Sequence, residues 1–236
     1  MILGFKPEWA AWGYKESAMF HYIDDKAFLK KAQNFCVEIL NYLTQELLDY
    51  GISSQFLLVG SGGRNMVTQN ADSPIDFDYN LHIQKCENIN DCRAIKETVR
   101  KVFNKVLRDN KLPDCEDSTS SLTTKSIYFT DNPKILFSMD ICIIFADNNG
   151  SWHRLIHKKT GCVSADTYYW NKAPNSRQIK EKADSIKENG YWQTVREEYL
   201  KIKNLYLRKN TEHPSFICYI EAVNNIYNKL RQKRKI

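Results

Sequence analysis

The sequence contains no hydrophobic run of membrane-spanning length and little glycine or proline. Its 236 residues include 9 glycines and 6 prolines, and no stretch approaches the roughly 20 consecutive apolar residues of a transmembrane helix. The first residues, MILGFKPEWAAWGYKE, have no basic segment ahead of a hydrophobic one, so they do not resemble a signal peptide. We therefore expect a soluble, cytoplasmic protein that does not act in a membrane.

Motifs that would place the chain in several familiar enzyme classes are also missing. The seven cysteines are scattered and include no CxxC pair, which is typical of reduced thiols rather than of a disulfide framework or a zinc site. The glycines form neither a Walker A loop nor a GxGxxG fingerprint, and His153 and His157 do not belong to an HExxH motif. The sequence therefore argues against P-loop, Rossmann-type and zinc-hydrolase chemistry.

The composition is that of an ordinary globular protein with a basic excess. Hydrophobic residues make up 42% and charged residues 26%, and the formal net charge is +6. A positive balance favours anionic ligands such as nucleotides or nucleic acid. Part of the excess lies in the last few residues, 229–235, where a solvated helix end explains it without a ligand.

Hydrophobic periodicity divides the chain into an early mixed part and a later helical part. It predicts helices over about 25–50, 91–109, 177–187, 191–207 and 215–230, and strands over 55–59, 75–83, 126–129 and 135–145. Asn148–Gly150 is a turn signal, and few strand-like runs follow it. We predict an α+β fold: a mixed β-sheet flanked by helices in residues 1–150, and a helical C-terminal domain in residues 151–236.

Three aspartates are the candidate catalytic and metal-binding residues. Asp76 and Asp78 alternate with apolar residues, so both lie on the polar face of a strand, roughly 7 Å apart at the backbone. Carboxylates this close repel each other unless a cation lies between them. Asp140 is the single charge within a long apolar run and needs a partner, either a metal shared with the pair or a basic residue elsewhere. Carboxylate oxygens are ligands that suit Mg²⁺.

A short glycine-rich segment follows the first predicted strand and is the candidate nucleotide-binding segment. Small residues there allow backbone N–H groups to approach phosphate oxygens, and a serine hydroxyl adds a donor. A helix beginning near Arg64 or Asn65 would favour a triphosphate further. The predicted nucleotide-binding residues are Gly60, Ser61, Gly62, Gly63, Arg64 and Asn65.

These residues together resemble the nucleotidyltransferase superfamily typified by DNA polymerase β and, more distantly, cyclic-GMP-AMP-synthase-like enzymes. Gly60-Ser61 matches the family's Gly-Ser motif, Asp76 and Asp78 match its paired aspartates, and Asp140 matches its third. Pro74 departs from the usual Ser-Asp-Ile-Asp pattern but leaves the aspartates intact. The match covers about residues 56–145, well under half of the chain.

The resemblance implies a reaction and its cofactor. A nucleotidyl group would move from a nucleoside triphosphate such as ATP to an acceptor hydroxyl, with release of pyrophosphate. Two Mg²⁺ or Mn²⁺ ions would take part. One, held by Asp76 and Asp78, would bind the triphosphate, and the other, with Asp140, would activate the hydroxyl.

Several alternatives stay open at this point. The acceptor is an RNA end, a small molecule, a protein side chain or a second nucleotide, and neither the choice of triphosphate nor the oligomeric state follows from the sequence. A non-catalytic relative that binds nucleotide or nucleic acid is the main alternative function. A glycosyltransferase is another, since a DxD motif there binds a metal and a nucleotide diphosphate.

Three further segments have both a functional and a structural interpretation. Trp152–Lys159 clusters two histidines with three cations and is either a phosphate clamp or an exposed basic connection. Tyr168–Trp170 either stacks on a nucleobase or packs in the core. Lys180, Lys182 and Lys187 either face a ligand or form the solvated side of a helix.

Overall fold

A computed structural model describes residues 19–174, 176–209, 211 and 213–236, together with the backbone of Leu3–Phe5. The N-terminal stretch compared above with a signal peptide therefore lies largely outside the described residues. The described chain divides into two units. The first contains Ile23–Val67 and Asp72–Ala173, and the second contains Thr68–Ala71 and Pro174–Ile236 with the short strand that ends at Tyr22.

Both units are built from helices and strands that follow one another closely along the chain. In chain order, the strands are β1 (Leu3–Phe5), β2 (Phe20–Tyr22), β3 (Ser53–Leu58), β4 (Thr68–Asn70), β5 (Ile75–Lys85), β6 (Glu116–Asp117), β7 (Leu122–Thr123), β8 (Ile127–Phe129), β9 (Asn132–Ala146), β10 (Trp152–Lys158) and β11 (Thr167–Lys172). The helices are α1 (Lys26–Leu48), the single turn α2 (Gly60–Gly63), α3 (Cys92–Asp109), α4 (Arg177–Glu188), α5 (Trp192–Arg208) and α6 (Ser215–Gln232).

The first unit is organised around β9, the longest strand of a mixed sheet that has nine strands in the described part of the chain. One edge of β9 pairs with β5 in parallel. Its other edge pairs in turn with β8, β7 and β10, all antiparallel. Beyond these, β3 pairs with β5, β11 with β10, β6 with β7 and β1 with β8. The predicted mixed sheet flanked by helices is confirmed.

Within the described residues of the first unit, helices α1 and α3 bury one face of this sheet. The odd-numbered residues of β5, such as Phe77 and Tyr79, share a hydrophobic core with residues of α1 and α3, such as Leu43 and Phe103. Both helices begin at an aspartate whose side chain accepts a hydrogen bond from a backbone N–H three residues later, which satisfies a donor of the first turn. Because strand side chains alternate, the even-numbered residues of β5 project from the opposite face. We call that side the open face.

The second unit contains the remaining three helices, close to their predicted bounds. Its buried residues include Ile186 on α4, Val195 on α5 and Val223 on α6. Strands β2 and β4 pair with each other in a separate antiparallel ribbon. None of the helices in the described ranges is both long enough and apolar enough to cross a membrane.

The predicted domain boundary at residue 150 differs from the division between the units, which follows Ala173. Residues 152–158 and 167–172 are not helical but form β10 and β11, which extend the sheet. The alternation of β10 is hidden in the sequence because a polar residue occupies an inward position. Leu155 and His157 are buried while Trp152 and Arg154 are exposed, so the strand shows no apolar and polar alternation.

Candidate active site

The structure brings the three predicted aspartates together on the open face. Asp78 on β5 and Asp140 on β9 are direct partners in the parallel pairing. Two residues earlier on the same strands, Asp76 is the partner of Ser138. All four residues therefore share one face of two adjacent strands. The pairing of β5 with β9 thus brings Asp140 next to the Asp76 and Asp78 pair on one face of the sheet.

Two of these carboxylates are held in surroundings that disfavour their charge. Burial raises the pKa of Asp78 to about 6, with Asp140 and Asp76 adding to the effect and Arg64 and Arg154 opposing it. Burial also raises the pKa of Asp140, against a hydrogen bond that stabilises its charged form. The cluster thus carries negative charge that a cation would stabilise.

Two hydroxyl groups orient the carboxylates. Ser138 Oγ donates a hydrogen bond to Asp76 Oδ1, and Thr123 Oγ1 donates to Asp140 Oδ1 at 2.5 Å. Sequence reasoning missed both residues. Alternation along β9 was a usable signal for Ser138, since it lies two residues before Asp140. No sequence signal marks Thr123, because only the pairing of β7 with β9 places it opposite Asp140.

The glycine-rich segment forms the turn α2 directly after β3, against the aspartates. Gly60 has a φ of +60°, and a Cβ there would lie 1.8 Å from Asp78 Oδ2. A Cβ at Gly63 would lie 2.7 Å from the Leu58 carbonyl oxygen. Glycine is therefore required at Gly60 both for its backbone conformation and for the close approach of a carboxylate. The prediction that small residues are needed here has a specific steric reason.

The residues after this turn differ from expectation in one respect. The helical turn begins at Gly60 and ends before Arg64, so no helix begins near Arg64 or Asn65. Asn65 adopts a φ of +57°, a left-handed conformation that asparagine tolerates, and this prevents a helix from continuing. Gly62 and Asn65 line a cavity of about 280 Å³ together with Lys26 and Lys30.

The Trp152–Lys159 segment is neither a single clamp nor an exposed connection, because β10 divides its side chains between two faces. His157 is buried on the core side, with Nδ1 2.7 Å from Asp117 Oδ2 and Nε2 3.0 Å from Asp166 Oδ2. Lys96 on α3 is only 2% exposed and lies 2.7 Å from Asp117 Oδ1. These groups form a buried charge network that ties α3, β6 and β10 together.

The Tyr168–Trp170 segment is divided in the same way by β11. Tyr168 stacks on His157 at a centroid distance of 4.1 Å, and Trp170 Nε1 donates to the Ile89 carbonyl at 2.6 Å. These two rings pack against the hydrophobic core, as the structural interpretation predicts. Tyr169 points the other way and is 44% exposed.

The three lysines of α4 all have contacts within the second unit. Lys180 pairs with Asp184 at 2.6 Å, and Lys182 Nζ donates to Asn224 Oδ1 at 2.7 Å. The ammonium of Lys187 lies 4.5 Å from the centroid of the Trp192 ring. These contacts agree with the interpretation of a helix surface rather than of a ligand site.

Comparisons with known proteins relate the chain to solved structures only, since no protein-family model and no curated protein matches it. The c-di-GMP synthase CdnE of Capnocytophaga granulosa matches with a TM-score of 0.58 and 15% identity, over 86% of this chain and 61% of its own. Vibrio cholerae DncV bound to 3'-deoxy ATP matches with a TM-score of 0.52 and 14% identity, over 74% and 45%. CdnC of E. coli MS115-1 with ATP matches with a TM-score of 0.51 and 13% identity, over 85% and 61%.

These likenesses establish the fold. The predicted nucleotidyltransferase-type α+β architecture is confirmed, since each of these three structures has it. The chain spans between 45% and 61% of the length of the three proteins it matches.

Proposed function

We propose that the protein is a metal-dependent nucleotidyltransferase that transfers an NMP group from a nucleoside triphosphate to an acceptor hydroxyl and releases pyrophosphate. One observation carries the proposal: Asp78 and Asp140 face each other on adjacent strands, beside Asp76, with the Gly60 backbone in contact with the Asp78 carboxylate. This arrangement joins a phosphate-binding turn to a cluster of hard oxygen ligands. The fold likeness to the nucleotide-bound structures of CdnC and DncV supports it.

The residues present fit a divalent cation. Carboxylate oxygens are the ligands that Mg²⁺ and Mn²⁺ prefer. Burial, with Asp140 and Asp76, raises the pKa of Asp78, so a cation there would stabilise its charged form. Within the described ranges, no three acidic, cysteine or histidine side chains already stand in a metal-binding arrangement, so the carboxylates would adjust on binding. Bound metal would neutralise charge on the triphosphate and lower the pKa of the attacking hydroxyl.

The chain itself supplies positioning. The backbone N–H groups of Gly60, Ser61 and Gly62 and the Ser61 hydroxyl would donate hydrogen bonds to phosphate oxygens next to the carboxylates, whereas the Gly63 N–H already donates to the Val59 carbonyl. Ser138 and Thr123 hold two of the carboxylates in orientation through hydrogen bonds. The charge of Arg64 opposes the rise in the pKa of Asp78. Once a cation is bound at the carboxylates, Arg64 would pair with the triphosphate.

We further propose a second nucleotide as the acceptor. CdnE carries the name of a c-di-GMP synthase, and DncV and CdnC were solved with nucleotides. An enzyme that joins two nucleotides must bind both of them beside the catalytic carboxylates. In this protein both nucleotides would therefore bind on the open face. The seven free thiols support a reducing, cytoplasmic location for such a reaction.

The test is incubation of the purified protein with each labelled nucleoside triphosphate, singly and in pairs, with Mg²⁺ or Mn²⁺ and with or without RNA. We expect pyrophosphate release and a new small nucleotide product. Asp140→Asn should abolish both. Asp131→Asn, which removes an exposed carboxylate paired with Lys31, should leave both unchanged.

Other outcomes would point elsewhere. Triphosphate binding without turnover under every condition would favour the non-catalytic relative. Turnover of a sugar nucleotide would favour the alternative function of a glycosyltransferase. Absence of any nucleotide binding would overturn the proposal.

A further inference from the structure

The open face of the sheet continues past the aspartates along β5, β9 and β10. His82 and Arg154 both lie opposite Ile144 of β9, and Trp152 lies opposite Ala146. These residues therefore share the face of Asp78 and Asp140. At about 3.3 Å per residue, His82 lies roughly 13 Å along the strand from Asp78.

Trp152 presents a large aromatic surface on this face. Its side chain is 47% exposed, and its ring meets His82 edge-on at a centroid distance of 4.9 Å. Single exposed apolar residues are common on protein surfaces. Here, however, Leu57 on β3 and Tyr169 on β11, 66% and 44% exposed, lie on the same open face. Three large, exposed apolar side chains thus share the sheet face that carries the aspartates.

Arg154 adds a positive charge next to this ring. Its side chain is exposed, and among the described residues its guanidinium has no hydrogen bond or ion-pair partner. Its charge opposes the rise in the pKa of Asp78, and it also opposes the rise that burial causes at Cys142. The guanidinium is thus close enough to act on the carboxylate cluster while its five donors are available to a phosphate.

The two possible nucleotide positions lie on opposite sides of the carboxylates. Gly60–Gly63 follows β3, which flanks β5, whereas Arg154 and Trp152 are on β10, which flanks β9. Asp140 lies between them on β9. A triphosphate at the glycine turn and a molecule on β10 would therefore lie on either side of the aspartates.

We propose that Trp152 and Arg154 form the acceptor subsite, in which Trp152 stacks on the acceptor's nucleobase and Arg154 binds its phosphate. This inference rests on the proposed nucleotidyltransferase function. It assigns the recognition of the acceptor to β10, a strand that lies beyond the matched motifs. Stacking of one base on one aromatic ring changes affinity by about 5-fold to 150-fold.

The KM values for the donor and for the acceptor can be measured separately with two nucleotide analogues, each of which serves in one role only. A 2',3'-dideoxynucleoside triphosphate lacks both ribose hydroxyls and is consumed only as a donor, whereas an α,β-methylene triphosphate cannot release pyrophosphate and is consumed only as an acceptor. With this pair, Trp152→Ala and Arg154→Ala should each raise the KM for the acceptor about tenfold and change the KM for the donor less than twofold. Trp152→Phe should restore most of the affinity, since it keeps an aromatic face.

Matched controls lie on the other side of the sheet. Tyr42→Ala removes a 59% exposed aromatic side chain from α1. Lys172→Ala removes an exposed cation from β11 that pairs with His153 and so faces away from the open face. Both controls should behave like the wild type. An equal rise in the donor KM, or wild-type kinetics in both β10 variants, would overturn the subsite.

A binding measurement makes failure of the subsite distinguishable from failure of the catalytic proposal. Titration of the wild type with the α,β-methylene analogue should quench tryptophan fluorescence, and Trp152→Phe should abolish that quenching. Quenching through Trp152 without any product would keep the subsite and refute the catalytic function. Product formation with the same quenching in Trp152→Phe would keep the function and refute the subsite. Neither quenching nor product would refute both.

Discussion

Replacing Asp78 by asparagine should stabilise the fold while it destroys activity. The carboxylate is partly buried between Asp76 and Asp140, and these surroundings raise its pKa from 3.8 to about 6. A difference of this size corresponds to roughly 3 kcal/mol that the ionised side chain costs the folded state at neutral pH. Asparagine has nearly the same shape and no charge. Because its amide also needs hydrogen-bond partners, we expect a net gain of about 1–2 kcal/mol.

The gain should depend on pH in a defined direction. The pKa of Asp78 is higher in the folded state than in the unfolded state, so the ionised carboxylate is destabilising above about pH 6. As the pH falls through 6 toward 3.8, Asp78 becomes protonated and the cost disappears. The advantage of Asp78→Asn over the wild type should therefore be largest at pH 8 and shrink steadily between pH 6 and pH 4.

The assay is urea unfolding in EDTA at pH 8 and at pH 5, followed by fluorescence. Asp76→Asn serves as the comparison, because Asp76 is exposed and should yield a smaller gain. Addition of Mg²⁺ should raise the unfolding midpoint of the wild type but not that of Asp78→Asn. A variant that is no more stable than the wild type at pH 8, or whose gain is the same at both pH values, would refute the electrostatic reasoning.

Three further substitutions test other parts of the site and its support. Gly60→Ala should lower the free energy of unfolding in urea by at least about 2 kcal/mol and remove most of the activity, since it adds a methyl group against a carboxylate. Its control is Gly150→Ala, at a residue with a φ of +74° but open space around it, which should lower the free energy of unfolding by only about 1 kcal/mol. Lys96→Met should cost about 2–3 kcal/mol by removing the buried ammonium that pairs with Asp117, which keeps His157 as a partner, whereas Lys105→Met, at an exposed ion pair, should have no resolvable effect. Ser138→Ala should raise the Mg²⁺ concentration needed for half-maximal activity severalfold at unchanged stability, and an unchanged requirement would show that its hydroxyl does not orient a ligand.

Much of the fold was predictable because its long elements carry strong periodicity. The apolar stripes of α1 and α3 and the alternation of β5 each match the structure within a few residues. The paired aspartates were recognisable for the same reason, since alternation alone places both on one face of a strand. Short strands such as β6 and β7, with two residues each, have no periodicity to detect.

The sequence by itself determined which residues are chemically exceptional: two aspartates on one polar strand face, one aspartate in an apolar strand, and a glycine turn. Only the tertiary structure decided that they form one site, through the parallel pairing of β5 with β9 and the contact of Gly60 with Asp78. It also decided that β10 and β11 belong to the sheet. The physical reason is that alternation is a local property of one strand, whereas strand partners and the burial of a polar residue such as His157 depend on contacts between residues distant in sequence.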